Sequence, residues 1–133
     1  IRDRRVTTEY GGVRFLQQVC YDLRFPVWSR NRKDYDMAIY VASWPTSRIE
    51  AWKALLKARA IENQCYVAGV NRVGSDPACN YCGGTMLIDP YGRIVAECHE
   101  GEQDMVTAEI NIDELNAFRK KFPVLDDADD FTL

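Results

Sequence analysis

Two uncharged apolar runs, separated by one amphipathic helix, constrain the fold of this chain more than any other feature. The runs are Met37 to Ala42 and Tyr66 to Val70, and they carry apolar or glycine residues throughout. Runs of this kind are typical of strands that are covered on both faces. A helix between two such strands implies parallel pairing through a right-handed crossover. The sequence therefore predicts an α/β fold with a mixed sheet and covering helices.

The helix between the two runs has the clearest helical pattern in the chain. Ser47 and Glu50 have the spacing of a capping box at its start. Apolar residues then recur at helical spacing: Ile49, Trp52, Leu55, Leu56 and Ala60. Arg59 lies on the same face as these residues, with Glu62 three positions later. We interpret Arg59 as a paired structural charge, and a substrate contact is the alternative.

Turn-forming sequences predict two β-hairpins. Gly11-Gly12 tolerates positive φ at both central positions of a tight turn, and it joins predicted strands over 6–10 and 13–19. The turn Asp89 to Gly92 joins strands over 85–88 and 93–96, with Pro and Gly at positions that type I or II turns favour. Both hairpins flank the central strand-helix-strand unit.

The last part of the chain predicts one more strand and one more helix. Residues 105–110 alternate sufficiently to form a strand. Asn111 and Glu114 can cap a helix that runs to Lys121 and ends before Pro123. We interpret residues 123–133 as an exposed acidic C-terminal extension of a single domain that spans residues 1–133.

Composition and charge exclude several classes of partner. The chain has 133 residues, 17 basic and 20 acidic side chains, which gives no general attraction to nucleic acid. Its longest uncharged apolar run is far shorter than the ~20 residues that cross a bilayer, and no secretory signal is visible. The 5 cysteines lack a disulfide-framework spacing and indicate reduced thiols. We expect a soluble cytoplasmic protein with no membrane partner and no cofactor.

Cys20 is the strongest candidate for chemistry. It ends an apolar strand and precedes a short predicted helix over 24–31, which has Pro26 in its first turn. Backbone N–H groups and the helix dipole at such a junction favour a reactive thiolate. The N–H of Tyr21 can then be directed at an oxyanion, as in the nucleophile elbows of hydrolases. The alternative is a buried cysteine that acts as a small hydrophobic residue.

The segment Val19 to Pro26 resembles the nucleophile segment of the nitrilase superfamily, the carbon-nitrogen hydrolases. Further matching segments follow in the family's order and approximate spacing: Ala42 to Pro45, Trp52 to Asn63, Asn71 to Gly74 and Ile88 to Gly92. Within the superfamily the chain is most similar to the omega-amidase branch. The resemblance covers nearly the whole chain, and it implies about half of a nitrilase-like α-β-β-α sandwich.

The resemblance also implies a role for Cys20 as the attacking nucleophile. In the family a cysteine attacks the amide or nitrile carbon, ammonia leaves, and water hydrolyses the thioester, with a glutamate as base and a lysine stabilising the oxyanion. Those partners lie farther upstream than the 19 residues before Cys20. We therefore expect the C-terminal part of a carbon-nitrogen hydrolase domain, inactive alone. It would associate with the missing N-terminal part or with copies of itself.

Several interpretations stay open. The omega-amidase branch implies that the substrate is the terminal amide of a 2-oxo dicarboxylic acid, such as 2-oxoglutaramate. Trp44 resembles a position near the family's substrate pocket, and it either forms an apolar wall there or packs in the core. The alternative function is a non-catalytic binding or assembly module that retains the fold.

The other cysteines predict no metal site. Cys79 and Cys82 form a single Cys-x-x-Cys, whereas structural zinc needs four ligands. The only histidine, His99, stands beside Cys98 in a predicted surface loop. We interpret Cys65 and Cys98 as buried thiols.

Overall fold

The computed structural model describes residues 4–132, so the ends of the predicted domain, 1–3 and 133, lie outside the described residues. This described part of the chain contains eight strands: β1 Val6–Tyr10, β2 Val13–Val19, β3 Met37–Ala42, β4 Tyr66–Asn71, β5 Val73–Ser75, β6 Asn80–Cys82, β7 Met86–Ile88 and β8 Ile94–Glu97. Six of them form one sheet in the order β1-β2-β3-β4-β7-β8, and β5 pairs with β6.

Three α-helices and three 3-10 turns accompany these strands. The helices are α1 Pro26–Ser29, α2 Ile49–Glu62 and α3 Ile112–Lys121. The 3-10 turns span Cys20–Arg24, Thr46–Arg48 and Val124–Asp127. None of the helices within residues 4–132 has the length and apolarity to cross a bilayer. The prediction of an α/β fold with a mixed sheet and covering helices is confirmed.

The centre of the sheet is parallel, as the two apolar runs predict. Strand β2 pairs in parallel with β3, and β3 pairs in parallel with β4 after the crossover through α2. Antiparallel hairpins complete both sides, with β1 on β2 and β8 on β7. Gly11 and Gly12 have φ values of 59° and 77°, which is the conformation that the predicted tight turn requires.

Helix α2 covers one face of the sheet at very short range. A Cβ at Gly69 would lie 2.4 Å from Leu56 Cδ1 and 2.8 Å from Trp52 Cζ2, so only glycine fits there. Trp52 is fully buried, and its indole N–H donates to the Gly84 carbonyl at 2.8 Å. The hydrophobic core therefore lies between α2 and this face, which we call the covered face.

The opposite face of the sheet carries apolar side chains that stay partly exposed. Cross-strand neighbours Val19, Val41 and Val70 are 61%, 46% and 46% exposed. We call this surface the open face, and its members are Phe15, Val19, Met37, Ile39, Val41, Ala68, Val70 and Leu87. A sheet with one covered and one open apolar face has the layering expected of half a sandwich.

A buried ion cluster closes the amino ends of the parallel strands. Asp36, just before β3, accepts hydrogen bonds from the Arg14 guanidinium at 2.8 and 3.1 Å and from Arg119 at 2.9 Å. Burial favours the neutral acid, but these hydrogen bonds outweigh burial and hold the pKa of Asp36 below its ordinary value. Arg119 also donates to the Tyr35 and Gln64 carbonyls, which attaches α3 to the sheet.

Two predictions about helix starts need correction. The capping box of Ser47 and Glu50 does not form, since α2 begins at Ile49 with Arg48 as its N-cap and without a side-chain cap. A 3-10 turn that follows Pro45 takes up Ser47, so its side chain is not at the helix start. The short helix predicted over 24–31 is confined to Pro26–Ser29, with Pro26 at its first position as predicted.

The predicted strand over 105–110 is wrong. Among the described residues, this segment has no ladder partner, and Met105 is 88% exposed. Val106 and Ala108 instead line a shallow cavity on the open face together with Met37 and Ala68. The segment therefore crosses the face of the sheet and does not run alongside the edge strand, where its backbone could pair.

The C-terminal helix follows the prediction closely. The Asn111 side chain accepts a hydrogen bond from the Glu114 N–H at 3.0 Å, and α3 ends at Lys121, two residues before Pro123. Leu125 is buried in the 3-10 turn that follows, whereas residues 126–132 are exposed. The boundary of the extension at 123 stays a prediction.

Candidate active site

The carboxyl ends of the three parallel strands bring the candidate residues to one edge of the sheet. Strand β2 ends at Val19, directly before Cys20. Strand β3 ends at Ala42, two residues before Trp44, and β4 ends at Asn71. Ligands in α/β sheets bind outside this edge, because successive loops meet there.

Cys20 has a backbone conformation that side chains rarely adopt. Its φ is +42°, in the left-handed region, and it begins the 3-10 turn Cys20–Arg24. For a residue other than glycine this conformation costs on the order of 1–3 kcal/mol and persists only where the surroundings impose it. The residue is half-buried and packs against the core. The Asp22 carboxylate accepts a hydrogen bond from the Val19 N–H at 2.9 Å and so braces the junction.

Tyr21 follows Cys20 with its side chain in solvent. The ring is 63% exposed and packs edge-on against Phe25, with 5.2 Å between the ring centroids. Its backbone N–H belongs to the first turn of the 3-10 segment, where N–H groups have no acceptor within the helix. The role of this N–H as an oxyanion donor stays a prediction.

Trp44 lies in the hydrophobic core of the described chain. It is 3% exposed, and its ring centroid is 5.5 Å from that of Trp52. Its indole N–H donates to the Arg48 carbonyl at 2.8 Å. The Arg24 guanidinium lies 4.9 Å from the ring centroid, which links the turn after Cys20 to the loop after β3. A contact between Trp44 and substrate stays a prediction.

Asn71 links two segments at this edge of the sheet, and the sequence analysis did not identify it as a site residue. Its side chain accepts from the Trp44 N–H at 2.7 Å and donates to the carbonyls of Trp44 at 3.0 Å and Gly83 at 2.7 Å. It thereby fixes the loop after β3 to the segment after the β5-β6 hairpin. A polar amide at the end of an otherwise apolar strand is the signal that could have found it.

Arg59 confirms the interpretation of a paired charge and adds a contact that spacing did not predict. The residue is 4% exposed, and its Nη1 lies 3.0 Å from Glu62 Oε1. Its Nη2 donates to the Leu23 carbonyl at 2.6 Å. Because Leu23 belongs to the turn that starts at Cys20, Arg59 connects helix α2 to the candidate nucleophile.

The other four cysteines differ in how deeply they are buried. Cys65 is fully buried, and burial raises the pKa of its thiol to about 12. Cys98 was predicted to be buried but is half-buried, because it follows the outermost strand of the sheet and precedes an exposed loop. Cys79 and Cys82 are also half-buried. Within residues 4–132, no three side chains of the His, Cys, Asp and Glu types are grouped to hold a metal ion.

His99 lies on the surface, as predicted. Its side chain is 81% exposed, and Nδ1 is 2.9 Å from Asp104 Oδ2. The hydrogen bond to Asp104 raises the pKa of His99 above its ordinary value.

The profile of the carbon-nitrogen hydrolase family matches residues 3–120 of this sequence. The chain belongs to the carbon-nitrogen hydrolase family. It is 54% identical over 130 residues to the omega-amidase YafV of Escherichia coli K12, with 97% of this chain covered. It is 44% identical over 121 residues to the 2-oxoglutaramate amidase of Bacillus subtilis, with 90% covered. The predicted nitrilase-superfamily membership and omega-amidase-like resemblance are confirmed.

A solved carbon-nitrogen hydrolase superfamily protein from Xanthomonas campestris, XC1258, has the same fold. It superposes with a TM-score of 0.93 at 44% identity over 98% of this chain, and it was crystallised with an arsenic adduct in its active site. The chain spans about half the length of the curated relatives it matches, 51% of the E. coli protein and 46% of the B. subtilis protein. It likewise covers 52% of the Xanthomonas structure.

Proposed function

We propose that this chain carries the nucleophile of an omega-amidase-like carbon-nitrogen hydrolase, and that the nucleophile is Cys20. The observation that carries the proposal is the left-handed conformation of Cys20 at the junction between β2 and a 3-10 turn. Strain of this kind clusters at active sites, because a thiol at a sharp turn is presented to substrate. Membership of the carbon-nitrogen hydrolase family supports this assignment.

The proposed reaction has two balanced steps. The Cys20 thiolate attacks the amide carbon, the C–N bond breaks, and ammonia leaves with a proton from a general acid. Water then attacks the thioester, which releases the carboxylic acid and restores the thiol. The N–H of Tyr21 would stabilise the oxyanion in both steps, and Trp44 would form an apolar wall beside the substrate.

The base and the cationic oxyanion donor are proposed to come from outside this chain. Within residues 4–132, the Cys20 sulfur forms no hydrogen bond to a base. The relatives are about twice as long as this chain, and the open face offers an apolar surface for a second sheet layer. We propose that a second α-β layer covers the open face and supplies a glutamate and a lysine. A further copy of this chain is the alternative occupant.

The substrate class is proposed from the names of two relatives, an omega-amidase and a 2-oxoglutaramate amidase. It is the terminal amide of a 2-oxo dicarboxylic acid monoamide. The 5 free thiols support a reducing compartment, so we propose that the reaction takes place in the cytoplasm.

A complementation experiment tests this function. The 133-residue chain is co-expressed with the part of the E. coli omega-amidase that the chain does not match, and ammonia release from 2-oxoglutaramate is measured. We expect ammonia from the assembled pair and none from either piece alone. Iodoacetamide should also label Cys20 faster than the other four thiols in the assembled pair.

Two results would contradict the proposal. Equal labelling of Cys20 and the half-buried Cys79, Cys82 and Cys98 would remove its assignment as the nucleophile. An assembled pair that binds 2-oxoglutaramate without releasing ammonia would favour the alternative, a non-catalytic binding or assembly module.

A further inference from the structure

Three side chains beneath the turn of Cys20 bury polar atoms that have no hydrogen-bond partner within the described chain. These atoms are Gln18 Oε1, Tyr40 Oη and Arg59 Nε. Gln18 and Tyr40 are direct neighbours across β2 and β3, on the covered face. Buried polar atoms are almost always paired in folded proteins, so each unpaired one calls for an explanation. Arg5 Nε and Gln64 Oε1 are unpaired as well, outside this group.

Arg59 is the charged member of this group and lies close to Tyr40. Burial raises the pKa of Tyr40 to about 12, and the positive charge of Arg59 acts against that rise. The Ser29 side chain also approaches the Tyr40 hydroxyl, without the geometry of a standard hydrogen bond. The space beneath the turn therefore holds the buried guanidinium of Arg59. Its Nη1 and Nη2 donate to Glu62 and to the Leu23 carbonyl, and its Nε has no acceptor within the described chain.

Several hydrogen bonds anchor the backbone around Arg59. The Arg59 carbonyl accepts hydrogen bonds from the Asn63 N–H at 3.3 Å and from the Asn63 side chain at 3.0 Å. The Arg30 guanidinium donates to the Glu62 carbonyl at the same end of α2. The bond from Nη2 to Leu23, at 2.6 Å, is therefore made from a fixed point on the helix to the turn.

We propose that Arg59 is the positioning residue that holds Cys20 in its left-handed conformation, by fixing the Leu23 carbonyl. The proposal rests on the proposed role of Cys20. Charge-assisted hydrogen bonds are shorter and stronger than neutral ones, and a desolvated guanidinium strongly resists losing an acceptor. Movement of Leu23 would let the turn relax and would carry Cys20 out of its strained conformation.

Arg119 offers a matched control for Arg59. Both are arginines with buried guanidinium groups that donate to backbone carbonyls, and their side chains are 14% and 5% exposed. Arg119 acts at the amino ends of the strands, through Tyr35 and Gln64. A purely structural role predicts that losing either arginine lowers stability and leaves the reactivity of the folded protein unchanged.

The experiment compares R59M, R59K, R119M and R119K in the 133-residue chain assembled with the complementing part of the E. coli omega-amidase. The rate constants for alkylation of Cys20, Cys79 and Cys82 by iodoacetamide are measured by peptide mapping. The temperature is one at which circular dichroism shows each variant fully folded. We expect R59M to lower the rate about tenfold, the size of one charge-assisted hydrogen bond. R59K keeps the charge but replaces the forked donor with a single amine, so we expect a loss of about threefold.

The rates of the other half-buried thiols separate positioning from stability. Relaxation of the turn should lower the Cys20 rate in R59M and R59K relative to the rates of Cys79 and Cys82 in the same molecules, whereas a general loss of stability would leave that ratio unchanged. R119M and R119K should keep the parent ratio and the parent Cys20 rate within about twofold.

Three outcomes would overturn the inference or its basis. If R59K and any folded R59M react like the parent, Arg59 does not position Cys20; should R59M fail to fold, R59K alone decides. If the Arg119 variants lose as much reactivity, the effect belongs to general stability. If Cys20 of the parent reacts no faster than Cys79 or Cys82, the proposed function itself fails, and the inference fails with it.

Discussion

The two edges of the parallel sheet are built in different ways. At the amino edge, Asp36 is buried and paired with Arg14 and Arg119, and the α3 helix is attached through the same cluster. At the carboxyl edge, Cys20 begins a turn in a left-handed conformation, and the bond from Arg59 to the Leu23 carbonyl holds that turn. Left-handed backbone and an unpaired buried atom also occur at Gln64, beside the amino edge, so the ion cluster and the thiol are what distinguish the two edges.

This difference suggests an experiment that separates stability from the proposed reactivity. Satisfied buried charges rigidify a structure, and their loss leaves an uncompensated charge. Strain and unpaired groups persist only where the rest of the structure is stable enough to hold them. We therefore expect the ion cluster at the amino edge to contribute to stability and Cys20 at the carboxyl edge to carry the proposed chemistry. Substitutions at the two edges should separate these properties.

Replacement of the nucleophile should have the largest effect. C20A in the assembled pair should reduce ammonia release from 2-oxoglutaramate by about a thousandfold or more, because no thioester can form. Its unfolding in urea should remain close to that of the parent. Residual activity within tenfold of the parent would exclude Cys20 as the nucleophile.

Breaking the amino edge should have the largest effect on stability. D36N removes the charge of a buried carboxylate, which is 4% exposed and pairs with the partly buried Arg14 and Arg119, and we expect it to lower the free energy of unfolding by about 3 kcal/mol. The matched control is D34N, which breaks the more exposed ion pair with Arg5 and should cost less than about 1 kcal/mol. Urea denaturation measures both losses. Equal losses would show that the Asp36 cluster contributes no more to stability than the more exposed ion pair.

The same cluster should set the acid sensitivity of the protein. The pKa of Asp36 is lowered in the folded state, so its ionisation contributes stability above the unfolded value of about 3.9, and this contribution is lost as pH falls through the folded pKa. Urea denaturation at a series of pH values should therefore show a steeper acid loss for the parent than for D36N. Parallel curves would contradict this assignment.

Crowding of the covered face should have a smaller effect. G69A places a methyl group 2.4 Å from Leu56 Cδ1, and we expect a loss of about 2 kcal/mol through overpacking. The double variant G69A/L56A should lose less than the sum of the two single losses, since truncation of Leu56 makes room. Additive losses in urea denaturation would show that the two sites do not interact.

Release of backbone strain at Cys20 should have the smallest effect on stability. It should raise the free energy of unfolding, whereas D36N and G69A lower it. C20G should be more stable than C20A by about 1 kcal/mol, because glycine adopts the left-handed conformation without a Cβ penalty. Thermal and urea unfolding of the two variants measure the difference. If C20A were as stable as C20G, the backbone at this position would not be strained.

Local patterns predicted the parts of the fold that depend on neighbouring residues in the chain. The turn at Gly11-Gly12, the Asn111 cap and the helix end before Pro123 follow from short-range chemistry, and all are present. The capping box at Ser47 and the strand over 105–110 failed, because contacts with distant segments set the local conformation there.

The candidate site divides in the same way. The sequence indicated the candidate nucleophile, because Cys20 is a thiol at the end of a predicted strand. It did not indicate the side chains that hold the surrounding loops in place. Asn71 joins segments that are 12 and 27 residues away, and Arg59 reaches Leu23 across 36 positions. No periodicity in the sequence records such contacts, since they depend on how α2 packs against the sheet.

The sequence by itself determined that the chain forms parallel strands around a crossover helix, with Cys20 at a strand end, because periodicity and turn chemistry are local properties. Only the tertiary structure decided that Cys20 is strained, that Arg59 contacts its turn, and that one sheet face stays open. Those features arise when elements distant in the chain pack together. Packing places the buried ion cluster at one edge of the sheet and the turn of Cys20 at the other.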